Sequence, residues 1–266
     1  MIYFEMRGTD SVPTNPRDKV FTTLVWDGGS HLADLQLHLE RMEKHAKRLR
    51  IAWPEHVLSM LDAAWSIAEP SPAPPQFHPY GLIRLELSRE GHITIQSRQF
   101  ILRNDEFEAV TVPAPRWSPK INGTKHGDWE PYAEATKHAD AKGSDLALLV
   151  HEFAIIDADR ATPLVIDEDG TAWLAAEEEG GVQSVTADIL TPLLEASGVP
   201  VHHGRLNERM VARALEMVAI GSGVGASRIA SIDGETIGNG QEFTQKCQAM
   251  LTQHYQNENA WTHVGA

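Results

Sequence analysis

The residues of this chain best suited to chemistry are one lysine, two aspartates and several groups able to hold an anion. Lys125 follows a proline- and glycine-rich stretch and precedes His126. Asp157 and Asp159 are two residues apart, so on a strand they share one face. Gly180-Gly181 leads into a helical pattern. Gly181 lets the backbone turn closely, and the N–H groups of Val182 and Gln183 would then open a helix with its positive end outward, towards an anion. Ser222, within Gly221-Ser222-Gly223, offers a hydroxyl and a backbone donor. Arg41 offers a fixed charge that can grip a phosphate at two points. Taken singly, each has an ordinary reading: a loop lysine, an Asp-x-Asp turn with Arg160, a helix cap, a flexible turn, a solvated arginine. The chain has 13 histidines. None pairs as His-x3-His with a carboxylate at helical spacing, and adjacent His202 and His203 would face opposite ways on a strand, so no metal centre is expected.

The elements that position these residues follow from hydrophobic periodicity. Lys19 to Trp26 reads as a β-branched and aromatic strand, ended by the turn Asp27-Gly28-Gly29. Leu35, Leu39, Met42, Ala46 and Leu49 make one apolar stripe of a helix, with His38, Arg41 and His45 on a neighbouring face. A second helix is expected over 55–68, then a proline-rich loop, Glu69–Gln76. Residues 82–87 and 93–97 form a hairpin about Arg89-Glu90-Gly91, and 107–112 a further strand. The stretch that follows, with three prolines and a glycine, is expected to link two domains: a small one over 1–112, a linker over 113–122, and a larger one over 123–266.

In the second half the pattern predicts a helix over 129–141, strands over 146–150 and 153–156, and a hairpin over 164–175 turning at Asp169-Gly170. A helix led by Gly180-Gly181, a short strand over 199–201 and a helix over 207–215 come next. A strand over 217–220, the loop 221–225 and a final helix over 242–253 complete the reading. The fold class is α+β.

Composition narrows the function. At 266 residues, 42% hydrophobic and 23% charged, the chain reads as a soluble globular protein. A net charge of −14 argues against non-specific nucleic-acid binding and against anionic membrane surfaces. It does not exclude one anionic ligand held by local donors. No apolar run approaches the ~20 residues of a membrane span, and the N-terminus has no apolar core of a signal peptide. A single cysteine, Cys247, excludes an internal disulfide and fits a cytoplasmic setting.

Six motifs, in order, resemble the fold-type IV pyridoxal-phosphate (PLP) enzymes of the class IV aminotransferase and aminodeoxychorismate lyase family, over about residues 20 to 250. Val20–Thr23 is similar to the family's phenylalanine, acidic residue, threonine strand. Leu35–Leu49 is similar to its His-Leu-x-Arg-Leu helix, and Ile83–Gly91 to its arginine-isoleucine … arginine-glycine hairpin. Thr124–Val150 resembles the Lys-His-x-Asn-Arg-Leu-x-Tyr signature with its alanine-rich helix and Gly-x-Asp-x-x-Leu-Leu strand. Gly180–Leu190 and Gly221–Gly234 resemble the glycine-led helix start and the second phosphate loop. Aspartate stands where the family has glutamate, Trp129 where the signature has arginine, and Arg228 where it has proline. These departures point away from an orthodox branched-chain aminotransferase.

The resemblance implies a two-domain, D-amino acid aminotransferase-like fold with the cofactor in the interdomain cleft, and a homodimer. It implies that Lys125 forms the Schiff base with PLP and moves the substrate proton. It implies Asp157 as partner of the pyridine nitrogen, or Asp159 if the register slips by two. Arg41, Gly181, Val182, Gln183 and Ser222 would hold the phosphate. Thr23, Arg84, Arg89 and Arg228 are the candidates for a substrate carboxylate. His126 would give a supporting hydrogen bond, and Tyr132 would line the site or simply pack. The implied activity is transfer of an amino group between an amino acid and a 2-oxo acid. One alternative is elimination of pyruvate from aminodeoxychorismate to give 4-aminobenzoate, and another is a non-catalytic relative acting as a binding module.

Overall fold

The computed structural model of the chain describes residues 15–68, 81–98 and 106–265. The expected loop at Glu69–Gln76 lies outside them, as do residues 1–14.

Among the described residues, a five-stranded antiparallel sheet has β1 (Lys19–Trp26) at its centre, flanked by β3 (Gly81–Ser88) and the short β2 (His31–Ala33), with β4 (Ile93–Arg98) and β15 (Trp261–His263) at the edges. The edge strand β15 returns from the far end of the sequence and pairs with β2. Alternation along β1 and β3 gives the sheet two distinct faces. Leu24, Ile83 and Leu85 pack beneath helices α1 (Leu35–Leu49) and α2 (Val57–Ala68), while Phe21, Thr23, Leu82 and Arg84 face the other way. The apolar stripe of α1 is buried as its spacing requires. The helix stops at Arg50, whose left-handed backbone (φ 60°) turns its N–H back onto the carbonyls of Ala46 and Lys47.

Among the described residues the second sheet has ten strands. Its centre joins β5 (Phe107–Pro113), β6 (Leu146–His151) and β7 (Ala154–Ala158) to β13 (Gly225–Ile232), β12 (Glu216–Gly221) and β8 (Thr162–Ile166). The outer members are β9 (Ala172–Ala175) and β10 (Val201–Gly204) at one end and β11 (Leu206–Asn207) at the other, with β14 (Glu235–Thr236) paired to β13. Helix α3 (Glu130–Ala141) covers β5 and β6, and α4 (Val185–Ala196) and α6 (Glu242–Gln256) cover the β12 region. No described helix is long and apolar enough to cross a membrane.

Three features differ from the sequence reading. Strand β5, expected in the first domain, hydrogen-bonds in parallel to β6 and β13 of the second sheet. The segment 225–232, for which no element is expected, is an eight-residue strand. Its Gly-Ala-Ser-Arg start carries little periodicity, and long-range pairing with β12 and β5 supplies what local propensity does not. The helix expected over 207–215 shrinks to α5 (Glu208–Ala212).

Glu216 on β12 ties this sheet to α6. Its buried carboxylate accepts hydrogen bonds from the backbone N–H of Phe243 and of Thr244 and from the Thr244 hydroxyl, at 2.8–2.9 Å. A carboxylate at a helix N-terminus satisfies donors that the helix leaves unpaired. Removing it strands those donors in a dry interface. Glu216→Ala is expected to destabilise the fold by about 2–4 kcal/mol, read as a lower denaturation midpoint in urea; an unchanged midpoint would remove Glu216 from this role.

Candidate active site

A cavity of about 700 Å³ opens between the two sheets. Phe21, Thr23, Leu82 and Arg84 of the small sheet form one wall, with Arg41 of α1. Asp157 of β7, the start of α4 and the loop Gly221–Val224 form the opposite wall. Lys125 enters from the turn that follows β5.

The backbone of Lys125 is held on both sides. Its carbonyl accepts from Phe21 N–H at 3.2 Å, and its N–H donates to Nδ1 of His45 at 3.2 Å. The amine lies 4.8 Å from the centre of the Trp129 ring and 5.2 Å from that of Phe21. Burial, and then the neighbouring charge of Arg41, pulls its pKa down to about 7, against the pull of Asp157. A neutral lysine amine is a nucleophile and a base, which an ordinary surface ammonium is not.

Asp157 is 4% exposed. One carboxylate oxygen accepts from Val182 N–H at 3.0 Å and from the Tyr132 hydroxyl at 3.1 Å, and the other from Ala158 N–H at 2.9 Å. Burial raises its pKa despite these donors and the nearby Lys125. Two carboxylate oxygens offer about four acceptor sites, so a cavity ligand still has one to use. Asp159 also lines the cavity but is committed elsewhere. It takes the Thr136 hydroxyl at 2.6 Å, Arg160 Nε at 2.9 Å and Ala147 N–H at 3.1 Å, and Arg160 neutralises it. The charge that acts on Lys125 is that of Asp157.

Arg41 is 8% exposed. It donates to the carbonyl of Gln183 at 2.9 Å and to the hydroxyl of Thr22 at 2.7 Å, and its Nε is buried with no partner among the described residues. Burial lowers its pKa to about 10, which leaves it charged at neutral pH. Ser222 lines the cavity, half-buried.

Several expected anion donors are corrected by this geometry. Helix α4 begins at Val185, capped by Ser184, whose hydroxyl oxygen accepts from Ala187 N–H at 3.3 Å. Val182 N–H is spent on Asp157. Gln183 lines the cavity, but its carbonyl serves Arg41. The cavity start of α4 is thus Ser184, Val185 and Thr186. Gly181 does not line the cavity: a Cβ there would stand 2.0 Å from the carbonyl oxygen of Ile156. Its glycine is required by the close pass of two backbones.

The substrate candidates divide. Thr23 and Arg84 line the cavity. Arg84 lies 3.6 Å over the Phe21 ring and is paired with Glu86 at 2.6 Å, which also binds Lys19 at 2.8 Å. Arg89 is exposed in the β3–β4 turn and is not among the cavity residues. Arg228 is buried away from the cavity, where it holds Glu106 and the carbonyls of Ile237 and Gly238. In their place stand Arg98, Arg160 and Lys19, none of them expected from the sequence as a substrate group. Arg98 had a signal: opposite Leu82 in the β3–β4 pair, it shares the Arg84 face. His126 is buried against Trp117, with ring centres 4.4 Å apart, and lies outside the cavity lining; its Nδ1 has no described partner. Tyr132 and Trp129 stack at 3.9 Å, so both pack and both line the site.

A family model described as amino-transferase class IV matches residues 19–232. The chain belongs to the class IV aminotransferases. No curated protein sequence matches it significantly. Solved structures show the same fold at low identity. A branched-chain aminotransferase from Thermoproteus uzoniensis, bound to norvaline, is 18% identical with a TM-score of 0.78, covering 93% of this chain and 90% of that one. A putative 4-amino-4-deoxychorismate lyase from Legionella pneumophila is 16% identical with a TM-score of 0.76, covering 89% and 91%. A branched-chain aminotransferase from T.th., in complex with N-(5'-phosphopyridoxyl)-L-glutamate, is 17% identical with a TM-score of 0.75, covering 94% and 90%.

Class IV aminotransferases are PLP-dependent enzymes, and the donor set here fits such a group. The cavity offers an amine of lowered pKa for a carbonyl and a buried carboxylate for a ring nitrogen. For a phosphate it offers an arginine with an unpaired buried nitrogen beside a helix start.

The Lys125 amine gives a direct check. In the unfolded chain a lysine titrates near ~10.4, while in the fold Lys125 titrates at about 7. The unfolded state therefore binds the extra proton between these values, so stability rises with pH across that window. Lys125→Met should flatten that rise. Labelling of the wild-type protein with a small amine reagent, followed by peptide mapping, should show Lys125 reacting with a midpoint near pH 7. A midpoint shared with the surface lysines would contradict the geometry.

Proposed function

We propose that this class IV aminotransferase binds PLP in the cavity and transfers an amino group between an amino acid and a 2-oxo acid. The observation that carries the reading is the meeting, in one cavity, of the Lys125 amine and the buried Asp157 carboxylate, reached from separate parts of the chain. When bound, PLP supplies a carbonyl for covalent attachment and a ring that withdraws electrons from the substrate Cα.

The residues then have distinct tasks. Lys125 would hold the cofactor at its carbonyl and, with its amine free, would take and return the substrate Cα proton; a base near neutral pKa suits both directions. Asp157 keeps a proton at the ring nitrogen, because a buried carboxylate favours a positive partner. Arg41, Ser222 and the start of α4 hold the phosphate. Arg84, with its own charge half-balanced by Glu86, anchors the substrate carboxylate beside Thr23. Phe21, Trp129 and Tyr132 exclude water from the reacting atoms. A homodimer and a cytoplasmic location belong to the same proposal, on the resemblance and on composition respectively.

The lyase reading also has an observation in its favour. Arg98, Arg160 and Lys19 join Arg84 at the cavity, so a substrate with two carboxylates would find more than one cation.

Borohydride reduction of the PLP-loaded protein should fix the cofactor to the peptide containing Lys125, and Lys125→Arg should abolish that label; label on another lysine would sink the assignment. Asp157→Asn should retain PLP yet slow turnover by ~100-fold or more, whereas Asp159→Asn should do much less. Arg41→Ala should weaken PLP affinity by roughly 10- to 100-fold. Incubated with single amino acids and no acceptor, the PLP-loaded enzyme should release one equivalent of 2-oxo acid. If none does so, and aminodeoxychorismate yields 4-aminobenzoate and pyruvate, the lyase reading replaces amino transfer.

A further inference from the structure

Helix α1 carries His38, Arg41 and His45 at spacings of three and four, so the three share one buried face, turned from the apolar stripe towards the cavity. Of these, only Arg41 lines the cavity. His38 acts on its neighbours: its Nδ1 pairs with the Thr22 hydroxyl at 2.8 Å, and that same oxygen receives Arg41. His45 touches the lysine segment itself.

We propose that His45 is a positioning residue for Lys125: its bare Nδ1, accepting the Lys125 backbone N–H, fixes the direction in which the lysine side chain enters the cavity. The inference rests on the reading of Lys125 as the reacting amine.

The geometry supports it from three sides. The N–H to Nδ1 contact is 3.2 Å, and His45 is 1% exposed, so no water competes for the donor. The Lys125 carbonyl is bonded to Phe21 N–H on β1, so the imidazole closes the second side of a clamp on one residue's main chain. The flanking residues have their own ties: Thr124 N–H is bonded to Ile121 within its turn, the Asn122 carbonyl accepts from Arg48, Gly127 N–H is bonded to Pro16, and Gly123 passes so close to the Gly181 carbonyl that a Cβ would stand 2.8 Å from it; at Lys125 itself the backbone partners are His45 and Phe21. The tautomer agrees. Burial, followed by Arg41, Arg48, Lys125 and Lys44, pushes the imidazole pKa well below its usual value. A neutral ring that accepts at Nδ1 must carry its proton on Nε2. An N–H left unpaired in this dry position would turn to find another acceptor, and the side chain would turn with it. Misplacement of a reacting group by about 1 Å costs up to ~100-fold in rate.

The test uses two substitutions and a readout that needs no cofactor. His45→Asn places an amide oxygen close to where Nδ1 stands; His45→Leu fills similar volume with no acceptor. In the cofactor-free protein, the rate and pH midpoint of Lys125 labelling are measured for each, alongside thermal unfolding. In the loaded protein, the rate of the first half-reaction is separated from substrate KM. Asn should stay within about threefold of wild type in both rates, while Leu should change the labelling rate or midpoint by tenfold or more and slow the half-reaction with KM little changed. If Leu labels like wild type, or if a folded Asn variant is as impaired as Leu, His45 merely fills space and the proposal falls. Should the Leu protein fail to fold, His45→Gln, whose amide reaches the Nε2 position instead, takes its place with the same expectation. Covalent PLP on a lysine other than Lys125 would defeat the functional reading, yet the labelling comparison would still decide the clamp.

Discussion

The buried carboxylate of Asp157 is the constraint around which the cavity is organised. An ionised group in a low-dielectric interior must be met by donors or neutralised. Here the donors come from three places: Val182 N–H from the segment before α4, the Tyr132 hydroxyl from α3, and Ala158 N–H from β7 itself. Satisfying one carboxylate therefore fixes a helix, a strand and a loop relative to one another. The bare backbone contact of Gly181 with Ile156 makes the same approach possible from the other side. Lys125 then lies in the field of a group whose position the fold determines.

Helix α1 answers with positive charge and uncharged imidazoles. Arg41 stays ionised although buried, because guanidinium is basic enough to have its pKa lowered to about 10 and remain charged at neutral pH. Burial and the neighbouring cations hold His38 and His45 well below the usual imidazole range, and neutral His45 accepts the Lys125 N–H at its Nδ1. Burial first, and then the charges of Arg41, Arg84 and Arg98, likewise push Lys125 towards its neutral form. The chain as a whole is strongly acidic, with a net charge of −14, yet its cavity is lined by cations. Local donors, and not the overall sign, set what the site can bind.

The aromatic cluster also departs from the pattern that the sequence resembles. Trp129 stands where the signature has arginine, and it stacks on Tyr132 while meeting Phe21 edge-on, with ring centres 4.9 Å apart. One cation is lost at that point and a dry wall is gained beside Lys125. The structural neighbours compared share the fold at 16–18% identity.

The sequence by itself determined the α+β class, most of the helices and strands, and the family, because apolar spacing and glycine-bearing turns are local signals. It also singled out Lys125, Asp157, Arg41 and Ser222 through motifs in order along the chain. Motifs do not report which way a side chain faces once distant strands pair. Arg89 and Arg228 looked as suitable as Arg84, but one sits in an exposed turn and the other is consumed by Glu106 and two carbonyls. Asp157 ends up on β7 and Asp159 just beyond its end, both lining the cavity, and only the company each keeps, Tyr132 and Val182 against Arg160 and Thr136, tells the two carboxylates apart. Strands β5, β13 and β15 took their partners from remote segments. Their place in the sheets was decided by long-range hydrogen bonding, which no local periodicity encodes.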